Sequence, residues 1–307
     1  MTGESAPAVP KAVPAAVPGG APAPLFDALP GVSPNVYGEK DFLAMAQMMR
    51  AEAGIMLPPG KAILVYSRLA PLVRASNLGT FAAYIVMIRQ NAEERRKAVC
   101  ALTTNHTFFY RESHHFEHFA REVRPQLVEM LGAGEAVRMW SAGCSSGEEV
   151  FSLAMAMLGP DHSAGRQLAG QDLRILGSDI ADPPLIKARQ GRYDLRDVTH
   201  LPGALRTAWC RADATHITVG PELREIVQFK RLNLHQDWPM RRSFQLILCR
   251  NVMIYFDQPT KQKLVTRLAE QLVPGGFLYI GHSERVSGPG EALLEHVGPT
   301  IYRRREA

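Results

Sequence analysis

The stretch WSAGCSSGEEV, residues 140–150, gathers several residue types capable of chemistry. Gly143, Ser145 and Gly147 have the G-x-S-x-G spacing of a hydrolase nucleophile elbow, in which a sharp strand-to-helix turn exposes a serine oxygen. Two carboxylates, Glu148 and Glu149, follow directly. An elbow of that kind lies deep in its sheet, after strands that supply oxyanion donors, yet everything before Glu135 has helical periodicity. The competing reading is a glycine turn at the first βα junction of a nucleotide-type fold, where backbone approaches a ligand at a helix N-terminus. Asp179, closing the apolar run LRILGSDI, adds a carboxylate able to accept from ribose hydroxyls. GCSSG lacks the full G-x-G-x-x-G, so the glycines alone do not decide.

The carboxylates narrow the ligand. Pyrophosphate would be repelled by Glu148 and Glu149 unless they face away, whereas an amino group would be attracted. A ribose joined to a cationic amino-acid end describes S-adenosylmethionine. Other candidates carry less. His114, His115 and His118 in SHHFEHF could offer metal ligands from one helical turn, but no carboxylate or thiolate visibly converges on them, so no metal is assigned and they read as a helix face. Cys100, Cys144, Cys210 and Cys249 form no C-x-x-C pair, which favours reduced thiols over a disulfide framework.

The elements around these residues divide the 307-residue chain. Residues 1–36, rich in Ala, Pro, Val and Gly, read as a disordered tail without the basic start and apolar run of a secretory signal. Residues 37–110 form a small helical domain, in which Pro71 should kink or end the second helix, and residues 111–134 a linker helix. From Glu135 to 307, short apolar runs alternate with helical segments, which predicts an α/β domain with a mostly parallel sheet and ligands at the strand carboxyl ends. Between them, at about residues 192–230, HITV and IVQFKRLNL are expected to pair as a small antiparallel β insertion. No segment reaches the roughly 20 apolar residues of a membrane span, so the chain is expected to be cytoplasmic. The formal charge is +5, and residues 53–92 hold Lys61, Arg68, Arg74 and Arg89 with no acid, a basic face suited to an anionic partner. That segment lacks interleaved aromatics for stacking bases, which argues against nucleic acid.

The ordered set TTNHTFFYRESHHF, WSAGCSSGEEVFSLAMA, GSDI, LNL, LCRNVMIYFD and GGFLYIGHSE resembles the CheR family of chemotaxis receptor methyltransferases over roughly residues 38–305. The resemblance implies a class I S-adenosylmethionine methyltransferase (Rossmann-like) domain with an antiparallel β insertion behind a helical domain. It further implies methyl transfer to receptor glutamates, with S-adenosylhomocysteine as product. By position it places Asn105, Thr107 and Arg111 over the cofactor, Glu149 on the methionine amino end, Asp179 on the ribose, and Asn233 and Leu234 beside the adenine. Arg250, Asn251 and Tyr255 would close the pocket near the methyl, with Arg111 and Tyr255 as the catalytic candidates. Lys61, Arg68 and Arg74 would dock glutamate-rich cytoplasmic receptor helices, bringing a monomeric enzyme to receptor arrays at the inner membrane. The short turn in CRADATHITV argues against tethering by a receptor tail peptide. The alternative function is a noncatalytic S-adenosylmethionine-binding signalling module.

Overall fold

The computed structural model describes residues 32–306. Four helices come first: α1 (Glu39–Ala53), α2 (Ala62–Ala75), α3 (Phe81–Gln90) and α4 (Ala92–Leu102). Helical spacing places Phe42, Met45, Met49 and Ala53 of α1 on one buried stripe, facing Val65, Leu69 and Val73 of α2. The Thr80 hydroxyl caps α3 through the Ala83 N–H at 3.3 Å, and Asn91 Oδ1 caps α4 through Glu93 and Glu94. Val32 and Val36 pack on this core, and the Val36 carbonyl accepts from Phe81 N–H at 3.0 Å. Packing therefore begins ahead of residue 37; the rest of the expected tail, residues 1–31, lies outside the described residues.

Pro71 does not end α2, which continues to Ala75. The carbonyl it cannot pair, that of Ser67, belongs to an exposed residue, where solvent can reach it. The linker is also not one uniform helix. α5 (Ser113–His118) passes through a π-helical turn at Phe119–Val123 into α6 (Arg124–Gly132). Pro125 follows that turn; its ring crowds the preceding carbonyls and its nitrogen has no proton to donate, a recognised cause of local departure from α geometry.

The remainder alternates: β1 (Val137–Ala142), α7 (Glu148–Leu158), α8 (His162–Ala169), β2 (Leu173–Asp179), α9 (Asp182–Gln190), β3 (Arg192–Asp194), α10 (Gly203–Trp209), β4 (Cys210–Ala212), β5 (His216–Val219), α11 (Pro221–Ile226), β6 (Val227–Arg231), β7 (Phe244–Cys249), α12 (Gln258–Gln271), β8 (Leu272–Ile280), β9 (Leu294–Gly298) and β10 (Ile301–Arg304). Seven strands form one sheet in the order β6-β2-β1-β7-β8-β10-β9, with β10 antiparallel to both neighbours and the other pairings parallel. The order reverses direction at β1, so the carboxyl ends of β1, β2 and β7 open on the crevice where such sheets bind ligands.

The β insertion needs one correction. HITV forms β5, the middle strand of a three-stranded antiparallel sheet β3-β5-β4, but it does not pair with IVQFKRLNL. Val227–Arg231 instead runs parallel to β2 at the edge of the large sheet. Its inward Phe229 packs in the main core with Phe151 and Val150, so burial decides its partner.

The two parts of the chain are joined across the mouth of the crevice. Ile55 and Phe256 form an antiparallel bridge, Met56 N–H donates to the Tyr255 carbonyl at 2.7 Å, and Arg50 pairs with Asp257 at 2.9 Å. No helix among the described residues is long and apolar enough to cross a membrane.

Candidate active site

A cavity of about 310 Å³ lies between the helical domain and the carboxyl ends of β1, β2 and β7, within the usual range of about 300–1,000 Å³ for small-molecule sites. Its floor is the turn after β1. Gly143 has φ +84°, and a Cβ there would lie 2.4 Å from Val252 Cγ2. Gly147, with φ +90°, is enclosed by Ala188, Phe229 and Tyr193. Both positions thus require glycine for conformation and for space. Tyr193 Oη donates to the Ser146 carbonyl at 2.7 Å, fixing the turn from the side of the small sheet.

Ser145 is not arranged as a nucleophile. Its hydroxyl donates to the Asn105 carbonyl at 2.9 Å, and its own N–H donates to Asp179 Oδ2 at 2.8 Å. It ties the interdomain linker to the glycine turn. The two glutamates beside it separate. Glu148 is buried beneath the turn, accepting from Ser146 Oγ and lying 3.5 Å from Lys187 Nζ. Glu149 faces the cavity, accepting from Ser141 Oγ at 2.7 Å and pairing with Arg250 at 3.1 Å. Burial raises the Glu149 pKa above the usual carboxylate range, opposed by Arg250 and by the Ser141 hydrogen bond.

Asp179 lines the same cavity, with Oδ1 accepting from Ala181 N–H at 2.9 Å. Burial raises its pKa, while hydrogen bonds from Ala181, Ser145 and Ile180 oppose the rise. An ionised carboxylate offers about four acceptor sites, so capacity remains for ligand donors. Asn105, Thr107, Arg111, Asn233, Leu234, Arg250, Asn251 and Tyr255 all line this cavity too. Asn233 also serves the fold: its Nδ2 donates to the Glu52 carbonyl at 2.6 Å and its Oδ1 accepts from His235 N–H. Arg111 donates to the His106 carbonyl at 3.0 Å and lies over the Phe108 ring.

The docking candidates are placed differently from one another. Lys61 is exposed at the cavity edge. Arg74 is exposed on α2 and does not line the cavity. Arg68 turns inward, donating to the carbonyls of Leu102 and Thr103 at 3.2 and 2.6 Å, and so closes the C-terminus of α4. The histidines pack against the sheet and are not a free helix face. His115 is fully buried, stacks on Tyr279 and hydrogen-bonds Thr300 Oγ1 at 2.9 Å; His118 bonds Tyr279 Oη at 2.7 Å. Burial, then Arg250, drives the His115 pKa down to about 2, so the ring is neutral. Glu112, His114 and His115 bring possible ligand atoms within 4.8 Å of one another, but Arg250 Nη2 lies 3.5 Å from Glu112 Oε2, an unfavourable neighbour for a metal cation.

Two functional acids escape a reading of residue types. Glu112 contacts Arg250, Asn251 and His282. Glu284 accepts from the N–H groups of Gly281, Asn251 and Met253 at 2.6, 3.0 and 2.7 Å. That clamp holds the loop after β7, where Asn251 takes a left-handed φ of +58°. Both acids lie in polar segments with no periodicity; their place inside YRESHHF and GHSE was the available signal.

The site fits S-adenosylmethionine by its donor and acceptor chemistry. An ammonium and two ribose hydroxyls need acceptors, and two carboxylates, half-buried Glu149 and buried Asp179, face one cavity. Comparison with known proteins agrees. Residues 105–302 match the family described as CheR methyltransferase, SAM binding domain, and residues 40–103 match the CheR methyltransferase all-alpha domain. A probable chemotaxis protein methyltransferase of Rhizobium etli is 39% identical over 262 residues, covering 83% of this chain and 96% of that protein. Chemotaxis protein methyltransferase 2 of Pseudomonas aeruginosa is 37% identical, covering 87% and 93%, and the chemotaxis protein methyltransferase of Escherichia coli is 36% identical, covering 85% and 89%. With both family domains matched in order and relatives above 30% identity spanning most of its length, this chain belongs to the CheR family of S-adenosylmethionine-dependent methyltransferases.

Proposed function

We propose that this protein transfers a methyl group from S-adenosylmethionine to glutamate side chains on the cytoplasmic helices of chemotaxis receptors. The observation that carries the reading is the cavity itself: the carboxylates of Glu149 and Asp179 suit a sulfonium amino acid joined to a ribose, and it lies between the sheet and a helical domain bearing exposed basic residues. The relatives' names supply the chemotaxis context.

S-Adenosylmethionine supplies an electrophilic methyl on its sulfonium. The chain's own residues bind, orient and exclude water. Glu149 would hold the amino end, Asp179 the ribose, and Asn233 with Leu234 the adenine side. A glutamate side chain in water titrates near pH ~4.3 and is already a carboxylate at neutral pH, so no general base is needed. What remains is alignment of oxygen, carbon and sulfur and removal of water from the carboxylate. Arg111, at the cavity wall, would steady charge near the transfer point, and Tyr255 would pack beside the sulfonium. Arg111→Ala and Tyr255→Ala are expected to lower methylation about tenfold or more; wild-type turnover and cofactor affinity in both variants would remove these residues from the mechanism.

Receptor docking would fall to Lys61 and Arg74, whose charges are exposed, while Arg68 supports the α4 terminus. The function itself is tested by incubating the protein with tritiated methyl donor and membranes containing chemotaxis receptors. Base-labile label on a receptor band is the expected result. Base-stable label, or label on nucleic acid, would refute it.

A further inference from the structure

Glu112 stands outside the cavity lining, yet it touches Arg250 and Asn251, two residues of that lining. Its Oε2 lies 3.5 Å from Arg250 Nη2, its Oε1 accepts from Asn251 Nδ2 at 3.4 Å, and the same oxygen lies 3.2 Å from His282 Nδ1. The linker, the loop after β7 and the loop after β8 thereby meet on one carboxylate. The backbone is bent to put it there: Glu112 has φ +58°, a left-handed conformation uncommon for a residue with a Cβ.

The charge arrangement gives this contact a purpose. Arg250 has a side chain only 1% exposed and is paired to Glu149 at 3.1 Å. Taken alone, that pair is neutral and would draw an incoming ammonium weakly. Glu112 supplies Arg250 with a second counter-ion. Burial raises the Glu112 pKa, but Arg250 and the hydrogen bonds from His282 and Asn251 outweigh burial and leave it below the ordinary value, so the group is ionised at neutral pH. The neighbouring imidazole of His115 is neutral and cannot cancel that charge. Of the other cations lining the cavity, Arg111 is occupied by the His106 carbonyl and the Phe108 ring, and Lys61 is exposed at the edge.

We propose that Glu112 is a positioning residue that gives Arg250 a second counter-ion beside Glu149, so that the cluster of two carboxylates and one guanidinium carries net negative charge and selects a ligand with a free ammonium. The inference rests on the assignment of Glu149 to the amino-acid end of the cofactor. Two ligands separate its parts: S-adenosylhomocysteine has that ammonium, and 5′-methylthioadenosine has the same adenosyl thioether without the amino-acid end. Glu112→Gln keeps the shape and an acceptor oxygen for Asn251 and His282 while removing the charge.

Calorimetric titration of the full-length wild type and the variant with both ligands is the test. The expected result is about a tenfold loss of S-adenosylhomocysteine affinity in the variant, with methylthioadenosine affinity unchanged. An equal loss for both ligands would assign Glu112 a purely structural role and overturn the proposal, as would no loss for either. A wild type that bound both ligands equally well would instead defeat the Glu149 assignment beneath it.

Discussion

Glu149→Gln is expected to weaken S-adenosylhomocysteine binding roughly 10- to 100-fold. A hydrogen bond to a charged partner contributes about 1.5–3 kcal/mol, and each 1.4 kcal/mol is a factor of ten. The substitution also takes away the carboxylate that Arg250 pairs with at 3.1 Å, although Glu112 remains as a counter-ion. The pH dependence follows from the direction of the shift. Burial raises the Glu149 pKa, and Arg250 and Ser141 only partly restore it. A bound ammonium favours the ionised form, so affinity is full above the raised pKa and falls as pH drops through it. In the Gln variant the limb is expected to become shallower, because only Asp179, whose pKa burial also raises, still titrates against the ligand. Calorimetry at several pH values checks both features; an unchanged affinity, or an acid limb as steep as in the wild type, would remove Glu149 from the ligand contact.

Glu284→Ala is expected to cost roughly 3–5 kcal/mol of stability. Glu284 is 4% exposed, and its two oxygens satisfy the N–H groups of Gly281, Asn251 and Met253. Each buried donor left without a partner costs about 1–3 kcal/mol, and relaxation keeps the total below the simple sum. The loop after β7 would lose the clamp that holds Asn251 in its left-handed conformation, so ligand affinity should fall together with the unfolding midpoint. Chemical denaturation of wild type, Glu284→Ala and Glu284→Gln provides the check. The Gln variant keeps one acceptor oxygen and should fall between the other two. Equal stability of all three would show that the clamp contributes nothing.

The architecture was legible in the sequence wherever periodicity was clean. The stripe Phe42, Met45, Met49 and Ala53 announces a helix, and the apolar runs ending at Ala142, Asp179 and Cys249 announce strands of a parallel sheet. Ambiguity arose where two structures share one pattern. Val227–Arg231 alternates as any edge strand does, and pairing with β2 was decided by the burial of Phe229 in a distant core. Pro71 misleads because a helix tolerates it on a wet face, and exposure of Ser67 cannot be read from residue type.

The site was legible in a different way. Asp179 follows from its strand end, and charge logic points to Glu148 and Glu149 alike; family resemblance singles out Glu149, and the structure brings it and Asp179 to one cavity while burying Glu148. Asn105, Asn233 and Leu234 came through family resemblance, since an Asn in a loop has no signature of its own. Glu112 and Glu284 act through contacts with residues 139 and 33 positions away, respectively, and such pairings exist only after folding. Arg68 likewise carries the same charge as Lys61 and Arg74; its use inside the fold emerges from its bonds to α4.

The central claim is that this cavity holds an adenosyl sulfonium by Glu149 and Asp179. Titration of the purified protein with S-adenosylmethionine measures it directly. The account predicts saturable one-to-one binding that Glu149→Gln weakens by at least tenfold. Absence of binding by the wild type, or binding of equal strength in the variant, would contradict it.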